Sequence, residues 1–505
     1  MQIVVAGGGT AQKAVVERGP TDHDKRRSVS HSGMTDHDKR WSAPLTEGDM
    51  QNINREHPEY IERKAMWKRY KDLYAGGERL RQSASEYLVP RHKEPGDIYR
   101  ERLSRVFYEN YIGSVIDWYA ATLMRREPML LFEGNDAAAK SFYSLLTDDC
   151  DRNGTNLHQF FRRQFIQTLV CGSSYIVVDF PRASGRALTR AEEDASGRSR
   201  AFLADYGAED VINWNYDASG GLEWAVIRTS CLQQSKVTDA KCERETRWIY
   251  YDRERFQIFR QGNDSSEIDL VDEGRHGLAA EQRVPLFRME ASEGLWLMNK
   301  AALLQLEHFN KSNALGWALT MGLFASPVVY SEREFSQVVG ESYYIQLGPQ
   351  DRFGWTEPEG KVYQIAADNL VALKDEIYRV CYSMAQAGGS SAGAQRQSAL
   401  SKQIDFSITE EVLRAYGDMV KEAMKQVLWA IAAARRDEIS IEVSGLDEFD
   451  IQDYGTELDD AKKLLDLGIG SETLKKQIFK RLAFQYLCDA RQEIKNQVAQ
   501  EIDRA

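Results

Sequence analysis

The chain lacks most of what marks an enzyme, a secreted protein or a membrane protein. Its six cysteines (Cys150, Cys171, Cys231, Cys242, Cys381 and Cys488) stand apart, with no CxxC pair. That spacing excludes a disulfide frame and a zinc finger, and it fits reduced, mostly buried thiols of a cytosolic protein. No Walker lysine, no HExxH and no paired-His metal motif occurs. Long hydrophobic runs are missing too. The mainly apolar part of the longest uncharged stretch, Ala314 to Tyr330, has 17 residues with Pro327 inside; a membrane span needs about 20. The start, MQIVVAGGGT, is not in the charged-then-apolar order of a signal peptide. Positive charge is in deficit, with 65 Lys and Arg against 77 Asp and Glu, a net charge of -12. Such a chain is not expected to coat nucleic acid, although a local basic element can still touch it.

What is present is core material. Hydrophobic residues make up 42% of 505 residues and aromatics 10%. A wholly disordered chain is thereby excluded, and the length suggests two to four structural units. Residues 1–54 differ from the rest. They carry two near-copies of one phrase, TDHDKRRS and TDHDKRWS, and three of the eight histidines (His23, His31 and His37). With no nearby core on which such ligands could sit, this segment reads as a disordered leader, and no metal is expected.

From Pro58 the apolar spacing becomes helical: Tyr60, Ile61, Met66, Trp67, Tyr70, Leu73 and Tyr74, up to Gly76. A second helix or helix pair covers Ile98 to Arg126, with further helices over Ala137–Thr147 and Asn156–Val170. SSYIVVDF after Gly172 reads as a strand, and alternation predicts strands at Val211–Tyr216, Leu222–Arg228, Arg247–Tyr251 and Phe256–Arg260. Leu295 to Leu323 reads as one helix about 40 Å long at 1.5 Å per residue. Its apolar residues fall all round, which is unlike a lone surface helix. Strand-like pieces follow at Pro327–Tyr330, Tyr343–Leu347 and Lys361–Ile365, then a helix over Asp368–Gln386 and a Gly/Ser/Ala/Gln stretch. A long helix from Ser407 to Arg436, a strand at Glu438–Val443, an acidic run and at least two helices close the chain. The fold class is α+β.

Two apparent motifs lose to plainer readings. Gly389-Ser-Ser391-Ala-Gly393 fits GxSxG, the nucleophile elbow of hydrolases. The elbow needs a strand before it and an Asp and a His after it; here the preceding segment is helical, and His308 is the last histidine. The acidic run Asp447 to Asp460 lacks the order of a calcium loop and reads as a solvated surface. The chain is therefore expected not to be an enzyme and to use no cofactor.

The order of segments resembles the portal protein of tailed bacteriophages over about 55 to 505. The resemblance rests on HPEYIERKAMWKRYKDLYAGG, YLVPRHKEP, YRERLSRVFYENYIGSVIDWYAATLMRREP and LLQLEHFNKSNALGWALTMGLFASPVV, taken together with DNLVALKDEIYRVCYSMAQAGGSSAGAQRQSALSKQ, SITEEVLRAYGDMVKEAMKQVLWAI and LDDAKKLLDLGIGSETLKKQIFKRL. It implies a wing over 55–293, a first stem helix over 294–326, a clip over 327–366 and a second stem helix over 367–387. A tunnel loop over 388–403, a long wing helix with a closing strand over 404–446 and a helical crown over 447–505 complete the scheme.

The family further implies a ring of about a dozen copies at one capsid vertex of the virion, assembled in the host cytoplasm. Double-stranded DNA passes non-specifically along its axis. The terminase large subunit, a head-to-tail adaptor and capsid and scaffold proteins are the partners, and no membrane is involved. Leu303, Leu304, Leu315, Trp317 and Leu319 are expected to bury against the second stem helix or a neighbouring subunit. Full burial would make Trp317→Ala cost about 3 kcal/mol or more. Tyr330, Phe335, Phe353 and Trp355 form the expected partner surface of the clip. Gln395, Arg396, Gln397 and Lys402 are the long polar side chains of the expected channel loop. The rival readings are a membrane-associated connector built on Ala314–Tyr330, a hydrolase centred on Ser391, and another minor head or scaffold protein.

Overall fold

The computed structural model divides the chain into two units, Met1–Leu45 and Thr46–Ala505. It describes residues 52–134, 136–181, 200–233, 243–262, 267–322, 326–331, 348–356, 360–382, 399–447, 454–466, 470–487, 490 and 492–504. The leader motifs, the GxSxG sequence and residues 448–453 of the acidic run lie outside these residues.

The second unit opens with helices α1 (Pro58–Ala75), α2 (Gly77–Gln82), α3 (Ala84–Tyr87), α4 (Gly96–Ser104) and α5 (Tyr111–Leu123). Their boundaries follow from local chemistry. Pro58 takes the first turn of α1, where no amide donor is needed, and Gly76 ends the helix at φ 57°. The Asn110 side chain accepts from the Gly113 amide and caps α5. Strand β1 (Met129–Gly134), α6 (Ala137–Asp148) and α7 (Leu157–Cys171) follow, the two helices capped in the same way by Asp136 and Asn156. The region expected to be one helix or a pair, from Ile98 to Arg126, is therefore two helices.

Helix α7 lies at the centre of the core. Phe160, Phe161, Phe165 and Leu169 are fully buried on it at helical spacing. It ends at Gly172, whose φ of 85° gives the left-handed cap; a side chain there would also strike the Trp296 ring at 2.9 Å. The chain then turns directly into β2 (Ser173–Asp179), the middle strand of a sheet ordered β3–β2–β9 with β3 (Phe202–Gly207) and β9 (Leu286–Glu290). Between β3 and β9 runs an antiparallel meander of β4 (Val211–Tyr216), β5 (Leu222–Gln233), β6 (Glu243–Asp252), β7 (Arg255–Gln261) and β8 (Asp269–Arg275). The four strands expected from alternation are all there, some of them longer. The sequence reading missed β3, β8 and β9. β8 carries Asp269, Asp272 and Glu273 and is mostly exposed, as suits an edge strand that must not recruit another.

Helix α8 (Leu297–Gly322) leads to the strand pair β10 (Ser326–Tyr330) and β11 (Arg352–Thr356), then to α9 (Gly360–Val380) and α10 (Ala399–Arg435). One expectation is corrected here. Lys361–Ile365 is the first turn and a half of α9, not a strand, because Tyr363, Ala366, Ala367 and Leu370 continue the helical spacing of the half-buried face down to buried Ile377. Helix α10 buries Leu413, Tyr416, Val420, Met424, Val427 and Ile431 at intervals of three and four. Strand β12 (Ile439–Ser444) returns to pair antiparallel with β1, and α11 (Tyr454–Asp466), α12 (Glu472–Tyr486) and α13 (Gln492–Arg504) end the chain. Among the described residues, Cys150, Cys171 and Cys381 are buried, Cys231 is partly so, and none is bridged. No helix among them is long and apolar enough to cross a membrane.

Candidate functional site: the helix pair α8–α9 and its roots

Helix α8 has two characters along its length. Leu297, Met298, Ala301, Ala302 and Phe309 are buried in the body, while residues 314–318 are only half-buried and Leu319 and Thr320 are exposed. Helix α9 packs along it. The Lys311 ammonium donates to Asn369 Oδ1 at 2.9 Å, and the Tyr363 hydroxyl reaches the Ala318 carbonyl at 3.5 Å.

The root of α8 is fixed by amide side chains that the sequence reading did not single out. Gln305 accepts from the Ile112 amide at 3.2 Å and donates to the Glu109 carbonyl at 2.8 Å. Asn310 accepts from Val89 N–H at 2.8 Å and donates to the Tyr87 carbonyl at 3.0 Å. Asn313 does the same for both backbone groups of Phe107, at 3.1 and 2.9 Å. Each amide presents one donor and one acceptor, as a peptide group would, so two stretches of chain, 87–89 and 107–112, find backbone partners on one helix. The signal in the sequence was three amides at spacings of five and three in an apolar helix, which place them on one side.

His308 lies beside them, its side chain 2% exposed, with Nε2 3.4 Å from Glu109 Oε2 and the Tyr111 ring edge-on at 5.0 Å. Burial lowers its pKa, Glu109 opposes that, and Lys374 adds to it.

The five α8 residues expected to bury are not alike within one chain. Leu304, Leu315 and Trp317 are half-buried, whereas Leu303 is 71% and Leu319 39% exposed. The Arg105 guanidinium stands 5.9 Å over the Trp317 ring. Gly316, one residue before, leaves room for Phe107, whose ring would lie 3.0 Å from any Cβ there. Half-burial reduces the cost of Trp317→Ala in the isolated subunit to about 1–2 kcal/mol. Leu303 borders a cleft with Ala65, Met66, Val89 and Leu306, rimmed by Glu62, Glu86 and Glu307. Val89 is 64% exposed, and so, at 52%, is Ile61 of α1. On α9, Val362, Ile365 and Val371 are also exposed.

At the far end of the pair, Tyr330 on β10 is 64% exposed and Phe353 on β11 half-buried. Phe335 and the Trp355 side chain lie outside the described residues, as do Gln395, Arg396 and Gln397. Lys402 is in α10, and its side chain too lies outside them.

The near end of α9 is closely held. Tyr382 takes φ 58° just after the helix. Its hydroxyl receives the Lys300 ammonium at 2.6 Å, and the same ammonium lies 4.2 Å over its ring. Its carbonyl accepts from Thr409 Oγ1 of α10 at 2.6 Å. The Tyr119 hydroxyl donates to the Cys381 carbonyl at 2.8 Å, and burial pushes the Cys381 thiol up to about 12. Tyr382 and Thr409, the residues flanking 383–408, are therefore hydrogen-bonded to each other. Among the described residues no group of three His, Cys, Asp or Glu is placed to hold a metal ion.

No protein-family profile matches the chain, and no curated protein sequence matches it. The chain is similar to three solved structures from gene transfer agent particles. One is the neck of an empty particle computed with C6 symmetry, at 12% identity and a TM-score of 0.40, over 71% of this chain and 86% of that one. Another is the virion of a native particle, at 13% and 0.39, over 77% and 95%. The third is the neck of a native particle computed with C12 symmetry, at 12% and 0.38, over 72% and 86%.

Proposed function

We propose that the chain is the portal subunit of a tailed-phage-type particle. It forms a ring at one capsid vertex through which DNA enters, is retained and leaves, and on which terminase and head-to-tail adaptors dock. On this reading it does no catalysis of its own, and it resides in the virion after assembly in the host cytoplasm. The observation that carries the reading is an order of elements. A long helix, α8, leads to a strand pair, and a second helix, α9, returns along the first. A long helix, α10, then follows the segment 383–398. That order matches the stem, clip, stem and wing helix that the sequence resemblance implies, with α9 beginning at Gly360, inside the expected clip, and α10 at Ala399, inside the expected tunnel loop.

Surface chemistry supports a ring as well. Leu303 and Val89 expose apolar surface at one cleft, and Val362, Ile365 and Val371 expose more on the partner helix. Exposed apolar patches of this kind mark interaction surfaces, and a head-to-tail ring covers two different faces of each copy at once. A net charge of -12 per copy suits a channel that passes DNA without holding it, because each neutralised phosphate would add affinity.

The variant Leu303→Glu tests the assembly. Leu303 is 71% exposed, so the subunit should fold and melt as the wild type does. Sedimentation should show rings replaced by single chains. Wild-type rings in that variant would remove this face from the interface.

A further inference from the structure

The last helix, α13, is seated on the body by charge more than by apolar contact. The apolar cluster beneath the C-terminal helices is small: Leu131, Phe484 and Ala499, with Met129 against it. Around it lie buried polar groups. Lys495 has a side chain 7% exposed and donates to Glu127 Oε2 at 3.2 Å. Lys480 of α12, 3% exposed, stands between Glu133 at 3.3 Å and Asp503 at 2.8 Å. Gln492 donates to the Leu130 carbonyl at 2.8 Å.

Under α13 is a cavity of about 160 Å³, lined among others by Glu127, Asp148, His158, Gln492 and Lys495. The His158 ring is bonded to the Met124 carbonyl, and its Nε2 is buried there with no hydrogen-bond partner. The structure assigns this cavity a role as a proton-operated latch: α13 stays docked while His158 is neutral and is released when the ring takes a proton. This reading is independent of the portal assignment.

The charges facing His158 decide the direction. From α13 comes Lys495, and from α7 itself Arg162. Glu127, on the chain between α5 and β1, faces it as well but already receives the Lys495 ammonium. Asp148 of α6 lies at the rim on an exposed residue. A protonated ring would place a third cation in this group and give Nε2–H no acceptor that Lys495 does not already use.

Burial is the largest cause of a lowered His158 pKa, with Glu127 opposing and Arg162 and Lys495 adding to it. Docking is therefore fully supported above the free imidazole value, about 6.5, and loses support as pH falls below it.

Hydrogen exchange of the full chain, read in peptides from 492–504 and corrected for intrinsic rate, tests this at pH 7.5 and 5.5. Protection of α13 should fall by up to about tenfold at pH 5.5, since one pH unit below the free value shifts a proton-linked equilibrium by that factor. The variant His158→Gln should keep its protection at pH 5.5, while His276→Gln, at a histidine in the β-rich region, should lose it as the wild type does. Unchanged wild-type protection, or an equal fall in His158→Gln, would overturn the proposal. Should His158→Gln not fold, Glu127→Gln decides. It removes the negative charge that pairs with Lys495, so protection of α13 should already be reduced at pH 7.5 with α7 still protected; wild-type protection of α13 in that variant would overturn the latch.

Discussion

Gln305 shows how one side chain can join two parts of the chain. It sits in the buried part of α8, 0% exposed, and supplies both a donor to Glu109 and an acceptor to Ile112, itself fully buried. Gln305→Met keeps the length of the side chain and removes both bonds. A buried backbone N–H left unsatisfied costs about 1–3 kcal/mol, so the urea midpoint should drop with an unchanged slope. A midpoint equal to the wild type would mean that water replaces the amide. His308 nearby reads from sequence only as the last histidine in the chain; its burial against Tyr111 and its approach to Glu109 depend on the turn before α5, which brings residues about 200 positions apart together.

Among elements, the helices and most strands were legible because their periods are long and their caps are chemical. Asn156 before α7 and Gly172 after it bound fifteen residues whose buried face repeats at three and four. What could not be read is equally physical. The start of α9 is rich in Val, Tyr and Ile, a composition that suits a strand, and packing along α8 overrides it. Strand β8 alternates too little to announce itself, since both its faces meet solvent. The hydrophobicity of the five α8 residues expected to bury does not say whether their partner lies in the same chain. Leu303 and Leu319 turned out exposed in the single subunit.

The tunnel loop expected over 388–403 is shorter at its far end, because 399–403, Lys402 included, belong to α10; Thr409, further along that helix, is hydrogen-bonded to Tyr382 at the end of α9. Arg396 is expected to touch DNA phosphates there without fixing sequence. Arg396→Glu should leave ring assembly intact and impair DNA packaging or retention. Normal packaged length and retention would make the segment a plain connector.

For the whole molecule, acidity and exposed apolar surface act together. Copies carrying -12 each repel at long range, so a ring needs short-range apolar contact that survives when salt screens the charge. Leu303, Val89, Val362 and Ile365 are placed on the helix pair and its flank to supply it. On the proposed function the chain assembles into a closed ring around a channel. Negative-stain imaging of the purified full-length protein tests it most directly. End-on views should show rings of about a dozen subunits with a central hole; single subunits or irregular aggregates at every concentration and salt would mean that the chain forms no such ring.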